Sequence, residues 1–213
     1  MKKMVKKIVS FICTVIIMIT LPVYANGSAL AHTLLVDEDS FSIKVNGSEY
    51  LFIDYINDTI TRGVLNDEKN KLILYYPDGR VSVLTKAEDE NIYRDGKLYL
   101  EKDARNFPST CFIPAGYERA NTYRTKQSVY GDVASIALSI ISLIGGPIGV
   151  ASGIAGIIVS LKGMVENEVY IEITQYVHKS IYKYYNVTRF YRDSAYTDLI
   201  KTVESGPYDV FPY

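Results

Sequence analysis

A stretch of 29 residues without a charged side chain, between Asp132 and Lys162, constrains the fold of this 213-residue chain more than any other feature. Gly145-Gly146-Pro147 interrupts the stretch near its middle. Glycine is favoured just after the end of a helix, and proline in the first turn of the next one. The pattern therefore predicts two helices, at about 132–144 and 147–163, folded back on each other as a hairpin. At 1.5 Å per residue they would be ~20 and ~25 Å long, shorter than the ~30 Å hydrocarbon core of a bilayer.

Small residues recur at helical spacing within this stretch and predict a close contact between the two helices. This helix-packing stripe comprises Ser135, Ser139, Ser142, Gly145, Gly149, Gly153, Gly156 and Ser160. If the small residues face each other, the large aliphatic side chains point outward: Ile136, Ile140, Leu143, Ile144, Ile154, Ile157, Ile158 and Leu161. Burial of one such side chain gains roughly 1.5–3 kcal/mol. The outside of the hairpin therefore needs a cover, which is the protein's own sheets, a partner chain or lipid.

The first 25 residues have the three-part organisation of a secretory signal peptide. Four lysines precede an apolar run from Ile8 to Leu21, and the small-residue sequence Val23-Tyr24-Ala25 follows. The run is shorter than the roughly 20 residues that a membrane-spanning helix needs. We expect cleavage after Ala25, with Ala31 as the second candidate, and therefore an extracellular protein.

Removal of the signal peptide takes away four lysines and leaves a net charge of −5. This excess of acidic residues argues against a nucleic-acid partner and against polybasic adhesion to anionic lipid. Cys111 is then the only cysteine, so no intramolecular disulfide can form and the fold depends on its core.

Residues 26–101 are predicted as a β-rich N-terminal domain. Phe41, Ile43 and Val45 alternate with polar residues, as in a strand with one buried face. Three turn sequences separate the predicted strands: Asn46-Gly47, Pro77-Asp78-Gly79 and Asp95-Gly96. Asn-Gly and Asp-Gly favour tight hairpins because these residues tolerate a positive φ.

Two further segments follow, on either side of the apolar stretch. Residues 102–131 are predicted as an irregular connection, because Pro108, Pro114 and Gly116 break any regular pattern. Residues 164–213 are predicted as Tyr-rich strands, and a binding face is predicted at Tyr182, Tyr184, Tyr185 and Tyr191. The predicted fold class is α+β, with antiparallel β-rich N- and C-terminal parts flanking a central glycine-rich helical hairpin.

No residue pattern in the sequence is typical of an active site. His32 and His178 lie far apart and do not form a zinc site with Cys111 by spacing. The sequence contains no Gly-x-Ser-x-Gly elbow, and its glycine pairs lack the Gly-Lys-Ser/Thr ending of a phosphate loop. We therefore expect no catalytic, cofactor-binding or metal-binding residues, no cofactor, and no enzymatic activity.

The order of these parts resembles a group of secreted Gram-positive glycine-zipper proteins. The residues that carry the likeness are the strand–Asn-Gly–strand of Val45–Tyr50, the Gly/Ala/Ser/Ile hairpin, and the Tyr-rich end around 191–197. Large geobacillin-like bacteriocins are similar in this architecture, over most of the chain after the signal peptide. The resemblance implies export and an antibacterial, membrane-directed role, and it supplies no catalytic residues.

Three functional interpretations follow. The first is a secreted, non-enzymatic, bacteriocin-like protein whose glycine-zipper hairpin enters a lipid membrane or binds a second copy of itself. The second is a secreted binding or surface-interaction module, in which the hairpin is permanent core and the tyrosine face binds a cell-wall ligand. The third is an extracellular protein tethered to the membrane by a single span.

Overall fold

A computed structural model describes residues 40–103, 115–146 and 148–209. The predicted signal peptide, both predicted cleavage sites, His32, Cys111 and Pro147 of the predicted hairpin break lie outside these ranges.

The described residues form one antiparallel sheet in which every strand pairs with the next one along the chain. Its eleven strands are β1 (Phe41–Asn46), β2 (Glu49–Asp54), β3 (Thr59–Leu65), β4 (Lys71–Tyr75), β5 (Val81–Lys86), β6 (Ile92–Arg94), β7 (Lys97–Lys102), β8 (Tyr117–Ser128), β9 (Glu168–His178), β10 (Lys183–Tyr191) and β11 (Leu199–Asp209). Two short helices lie between β8 and β9: α1 (Ala134–Ser139), continued by a π-helical turn (Ile140–Ile144), and α2 (Ile148–Ser160).

The predicted α+β class with a central helical hairpin is wrong, because the protein is mostly antiparallel sheet. The strands before and after the helices are not separate parts, since β8 pairs with β9 along its whole length, from Tyr117 opposite His178 to Ser128 opposite Glu168. The predicted helix at 132–144 is instead six residues of α-helix followed by a five-residue π-helical turn. The helical pattern marked a short buried segment that packs against the strands in one hydrophobic cluster.

The three predicted turns are confirmed as hairpin connections. Asn46 and Gly47 join β1 to β2, and Pro77-Asp78-Gly79 and Asp95-Gly96 join β4 to β5 and β6 to β7. Gly47 and Gly79 have φ angles of 59° and 84°. Most residues disfavour these angles, and glycine adopts them without a steric cost.

The segment predicted as an irregular connection, residues 102–131, instead contains β8, a strand of twelve residues. Its alternation is hidden because both faces carry polar residues. Thr125 and Gln127 are buried on the face towards the helices, whereas Arg124 and Lys126 lie on the opposite face. Residues 164–213 contain the predicted strands, which are β9, β10 and β11.

One hydrophobic cluster joins the helices to strands from both halves of the sheet. Ile136, Ile140, Ile154 and Ile158 are all 0% exposed, so the protein's own chain covers the aliphatic side chains of the helices. The aliphatic side chains of α2 are therefore not its uncovered side: Ser152 and Gly156 are half-buried and Ser160 is exposed, whereas Gly153 is buried with the isoleucines. Across the described ranges, no helix combines the length and apolarity needed to cross a bilayer.

Candidate functional site

We call the face of the sheet that points towards the helices its inner face. A polar cleft of about 400 Å³ opens at one end of this face, beside the start of α1 and the end of α2. Its lining includes Asp54, Asn57, Thr59, Thr61, Tyr76, Asp78, Arg80, Tyr130, Asp132, Val159 and Lys162. Concave sites lined by aromatic groups and a few convergent polar groups are the usual location of ligand binding. We therefore take this cleft as the candidate functional site.

The alternation of the strands places polar side chains in the cleft. Phe52 and Leu74 point towards the helices and are 2% and 0% exposed. Asp54 lies two residues beyond Phe52 on the same side of β2, and Tyr76 lies two residues beyond Leu74, just after β4. Because side chains alternate along a strand, both residues continue the inner face past its apolar centre. The inner face is therefore apolar where the helices cover it and polar at this end.

Tyr76 and Asp132 form the polar floor of the cleft, and Arg94, which does not line the cleft, binds both of them. The Tyr76 hydroxyl donates to Asp132 Oδ2 at 2.7 Å and accepts from an Arg94 terminal nitrogen at 3.0 Å. The same guanidinium lies 3.4 Å from Asp132 Oδ2. Asp132 Oδ1 accepts from the backbone N–H of Ala134, the first residue of α1, at 2.9 Å. The Asp132 carboxylate therefore connects the end of β4, the Arg94 side chain and the first residue of α1.

The network continues behind the floor into the core. Arg94 donates to Ser135 Oγ at 3.0 Å, and Ser135 Oγ lies 2.9 Å from the Tyr99 hydroxyl. Tyr99 in turn donates to Gln127 Oε1 at 3.0 Å. These bonds link β6, β7, β8 and α1, so the floor of the cleft is held by four separate elements and is well ordered for binding.

Burial and the neighbouring carboxylate of Asp132 raise the pKa of Tyr76 far above its ordinary value. Burial likewise raises the pKa of Tyr99. Both phenols therefore remain protonated at neutral pH and act as hydrogen-bond donors. This excludes a phenolate at the floor and fixes the direction of the Tyr76–Asp132 bond.

The mouth of the cleft carries an exposed aromatic ring and two cations. Tyr130 is 60% exposed, and the Lys162 ammonium lies 5.9 Å from the centre of its ring. The Arg80 guanidinium lies 4.9 Å from the centre of the Tyr76 ring and donates to Asp78 Oδ2 at 2.6 Å. Side-chain and backbone hydrogen bonds from Arg80 lower the pKa of Asp78, which keeps this carboxylate charged.

The described residues contain no group of three or more His, Cys, Asp or Glu side chains that could hold a metal ion. Asp54, the nearest further carboxylate in the cleft, accepts from the backbone N–H groups of Ile56 and Asn57 and from the Asn57 side chain. This carboxylate therefore stabilises the β2–β3 turn. The arrangement as a whole offers hydroxyl, amide, carboxylate and guanidinium groups around an aromatic wall.

The four tyrosines predicted as a binding face do not form one surface. Tyr182 is 88% exposed at the β9–β10 turn and Tyr184 is half-buried, whereas Tyr185 and Tyr191 are each 8% exposed. Tyr185 packs near Tyr176, with the ring centres 6.3 Å apart. Alternation along β10 separates Tyr184 from Tyr185, so consecutive tyrosines lie on opposite faces of the sheet.

The predicted helix-packing residues have several different roles. Ser135 belongs to the network behind the cleft, and the hydroxyls of Ser139 and Ser142 donate to backbone carbonyls four residues earlier. Gly145 has a φ of 80° and ends the π-helical turn, and the Gly146 N–H donates to the Ile140 carbonyl at 2.7 Å. Gly153 is buried and Gly156 half-buried in α2, Ser160 is exposed at its end, and Gly149 lies in its first turn.

Sequence reasoning missed the cleft residues Tyr76, Arg80, Tyr130, Asp132 and Lys162, and it missed Arg94, which binds the floor of the cleft. They come from widely spaced segments, so no local spacing marks them. The one available signal was the pair Asp132 and Lys162, the charges that bound the uncharged stretch. Both line the cleft because the buried helices begin and end there.

No family model matches the sequence, and no curated protein or solved structure is significantly similar to it. The resemblance to large geobacillin-like bacteriocins therefore stays a prediction.

Proposed function

We propose that this chain is a secreted, non-enzymatic binding protein that takes a polyhydroxylated ligand, such as a cell-wall saccharide, in the polar cleft. The observation that carries the proposal is the exposed Tyr130 ring beside the Tyr76–Asp132 floor, which Arg94 holds in place.

The chemistry of the cleft suits a sugar. A sugar ring has an apolar C–H face, which packs against an aromatic ring, and hydroxyl groups at its edge. Tyr130 offers the ring, and the Lys162 ammonium lies close beside it. A sugar hydroxyl both donates and accepts hydrogen bonds. Asp132 can accept a hydrogen bond from such a hydroxyl, and Arg80 can donate one to it. Charged donors and acceptors make the stronger hydrogen bonds.

The burial of the helices supports a role as permanent core. The eight aliphatic side chains that were predicted to point outward all belong to the core or pack against it. At roughly 1.5–3 kcal/mol each, their exposure to water would cost about 12–24 kcal/mol before any compensation. That is as large as, or larger than, the net stability of a typical domain, about 5–15 kcal/mol. Release of the helices towards a membrane would therefore require the fold to open.

Binding to purified peptidoglycan and to soluble fragments of its glycan strands tests the proposal. We expect the wild-type protein to be retained, and Tyr130→Ala to weaken the association at least tenfold, since an aromatic contact and its apolar area are lost. Tyr182→Ala is the matched control, because it removes an 88% exposed tyrosine remote from the cleft.

Equal retention of wild-type protein and Tyr130→Ala would contradict the proposal, as would a loss of retention in Tyr182→Ala alone. Release of dye from vesicles by the wild-type protein, at concentrations where it does not bind glycan, would favour the membrane-directed interpretation instead. Thermal melting of each variant verifies that the fold is retained.

A further inference from the structure

Strands β2 to β5 carry apolar side chains on both faces. In β4, Leu72 and Leu74 are 0% exposed on the inner face, whereas Ile73 and Tyr75 alternate with them on the opposite side. We call this second side, which points away from the helices across β2–β5, the outer face. Antiparallel sheets with one wet face normally alternate apolar and polar residues. Strands that are apolar on both sides are typical of sheets covered on both sides.

The apolar side chains of the outer face lie side by side across the strands. The register aligns Leu51 with Arg62, Arg62 with Tyr75, and Tyr75 with Val81. Residues directly opposite each other in neighbouring strands are close enough for their side chains to touch. The outer face therefore presents a patch of neighbouring apolar side chains with Arg62 among them, rather than isolated apolar residues.

Two adjacent rows extend this patch. On one side of the row that contains Tyr75 and Val81, the aligned residues are Val64, Ile73 and Val83, across β3, β4 and β5. On the other side of that row, Ile53 of β2 pairs with Ile60 of β3.

The patch is open over the described part of the chain. Ile60, Tyr75 and Val81 are 52%, 39% and 56% exposed. Single exposed apolar residues are common, but a contiguous exposed patch across four strands is typical of an interaction surface.

We propose that the outer face packs against the outer face of a second copy of this chain. Two sheets pack face to face at about 10 Å, with their strands at about 30°. A two-fold axis requires a surface that is complementary to itself. The outer face meets this requirement, because its central charges are a paired Arg62 and Glu49, which present both signs next to each other. In the dimer each arginine can face the glutamate of the other copy.

The size of the outer face suits a weak, reversible dimer. At about 4.8 Å per strand and 6.8 Å per row, four strands and three rows cover ~400 Å². Two copies would then bury about 800 Å², which is below the ~1,000 Å² expected of a stable specific interface and is typical of a weak, transient association. The cleft opens on the inner face, so it stays accessible in the dimer.

Sedimentation equilibrium of the wild-type protein, from about 1 to 500 µM, tests this dimer. We expect reversible monomer–dimer association, and at least a tenfold weaker association in the double variant Ile60→Lys/Val81→Lys. Leu199→Lys is the matched control, because Leu199 is 51% exposed on the distant edge strand β11. Both replaced residues are more than half exposed, so the fold tolerates the lysines.

A protein that remains monomeric up to 500 µM would overturn the proposal. So would a dimer that responds to Leu199→Lys and not to the double variant. Binding to lipid vesicles that depends on Ile60 and Val81, in a protein that stays monomeric in solution, would assign the outer face to lipid instead and would also overturn it. None of these outcomes depends on whether the cleft binds a saccharide.

Discussion

The Tyr76 hydroxyl donates a 2.7 Å hydrogen bond to Asp132 across 56 residues of sequence. The bond joins the end of β4 to the start of α1, and so it connects the early strands to the helical segment that they cover. Because Arg94 donates to the same hydroxyl, the phenol lies between a carboxylate and a guanidinium.

Tyr76→Phe should lower the free energy of unfolding by about 1.5–3 kcal/mol, the range for hydrogen bonds to charged groups. The substitution leaves the Asp132 carboxylate and the Arg94 guanidinium without the hydroxyl between them. Urea denaturation measures the change. Tyr182→Phe is the control, since Tyr182 is 88% exposed at the β9–β10 turn, and it should leave the unfolding midpoint unchanged. Equal effects of the two substitutions would show that the Tyr76 bond contributes nothing.

Glu172→Gln should destabilise the fold by about 3 kcal/mol or more, because it removes the one carboxylate that pairs with both Arg124 and Arg189 at a buried position. Glu172 accepts from Arg124 at 2.6 Å and from Arg189 at 2.9 Å, and its side chain is 9% exposed. Glu168→Gln is the matched control on the same strand, since its bridge to Lys126 is exposed and should contribute less than about 1 kcal/mol. Similar losses in both variants, measured by urea denaturation, would be inconsistent with a buried charge cluster.

Stability should fall as the pH rises above about 10. Burial raises the pKa of Tyr76, Tyr99 and Tyr208, and it raises the pKa of Tyr196 to about 12. Between the ordinary tyrosine value and these raised values, the unfolded chain loses protons that the folded chain keeps, so unfolding becomes more favourable with increasing pH. Below pH 9 these four groups contribute no pH dependence.

Urea midpoints between pH 8 and 11.5, together with tyrosinate absorbance at 295 nm, test this alkaline sensitivity. We expect part of the tyrosine absorbance change to coincide with unfolding. If all 19 tyrosines of the chain titrate near pH 10 while the fold persists, the burial of these phenols does not hold in solution.

Ile154→Ala should lower the free energy of unfolding by about 2–5 kcal/mol, as expected for a fully buried isoleucine. Ile154 is 0% exposed in α2. Ser160→Ala, at the exposed end of the same helix, should change stability by less than about 0.5 kcal/mol. A small loss for Ile154→Ala would mean that this face of α2 is not covered as the structure has it.

Local turn chemistry predicted three hairpins correctly, because Asn46-Gly47, Pro77-Asp78-Gly79 and Asp95-Gly96 act through their own backbone preferences. The strand β8 was missed because its inner face carries Thr125 and Gln127 instead of aliphatic residues. Thr125 donates to the Tyr99 carbonyl and Gln127 accepts from the Tyr99 hydroxyl. These hydrogen bonds to another strand allow polar side chains to be buried on the inner face of β8.

The orientation of the helices could not be predicted from the same pattern. Serine and glycine at helical spacing indicate a close approach of backbones, but the cover over the isoleucines depends on where the sheet lies. The cleft was beyond sequence reasoning for a related reason. Its floor and the arginine that binds the floor bring together Tyr76, Arg94 and Asp132, which lie 18 and 38 residues apart, and no regular spacing relates them.

Amide hydrogen exchange of α1 and α2, with and without anionic lipid vesicles, tests most directly that these helices are permanent core. We predict that amides around Ile136, Ile140, Ile154 and Ile158 exchange only through global unfolding, and that vesicles leave their protection unchanged. Exchange of these amides at a much lower free energy than global unfolding, or a loss of their protection when vesicles are added, would contradict the account.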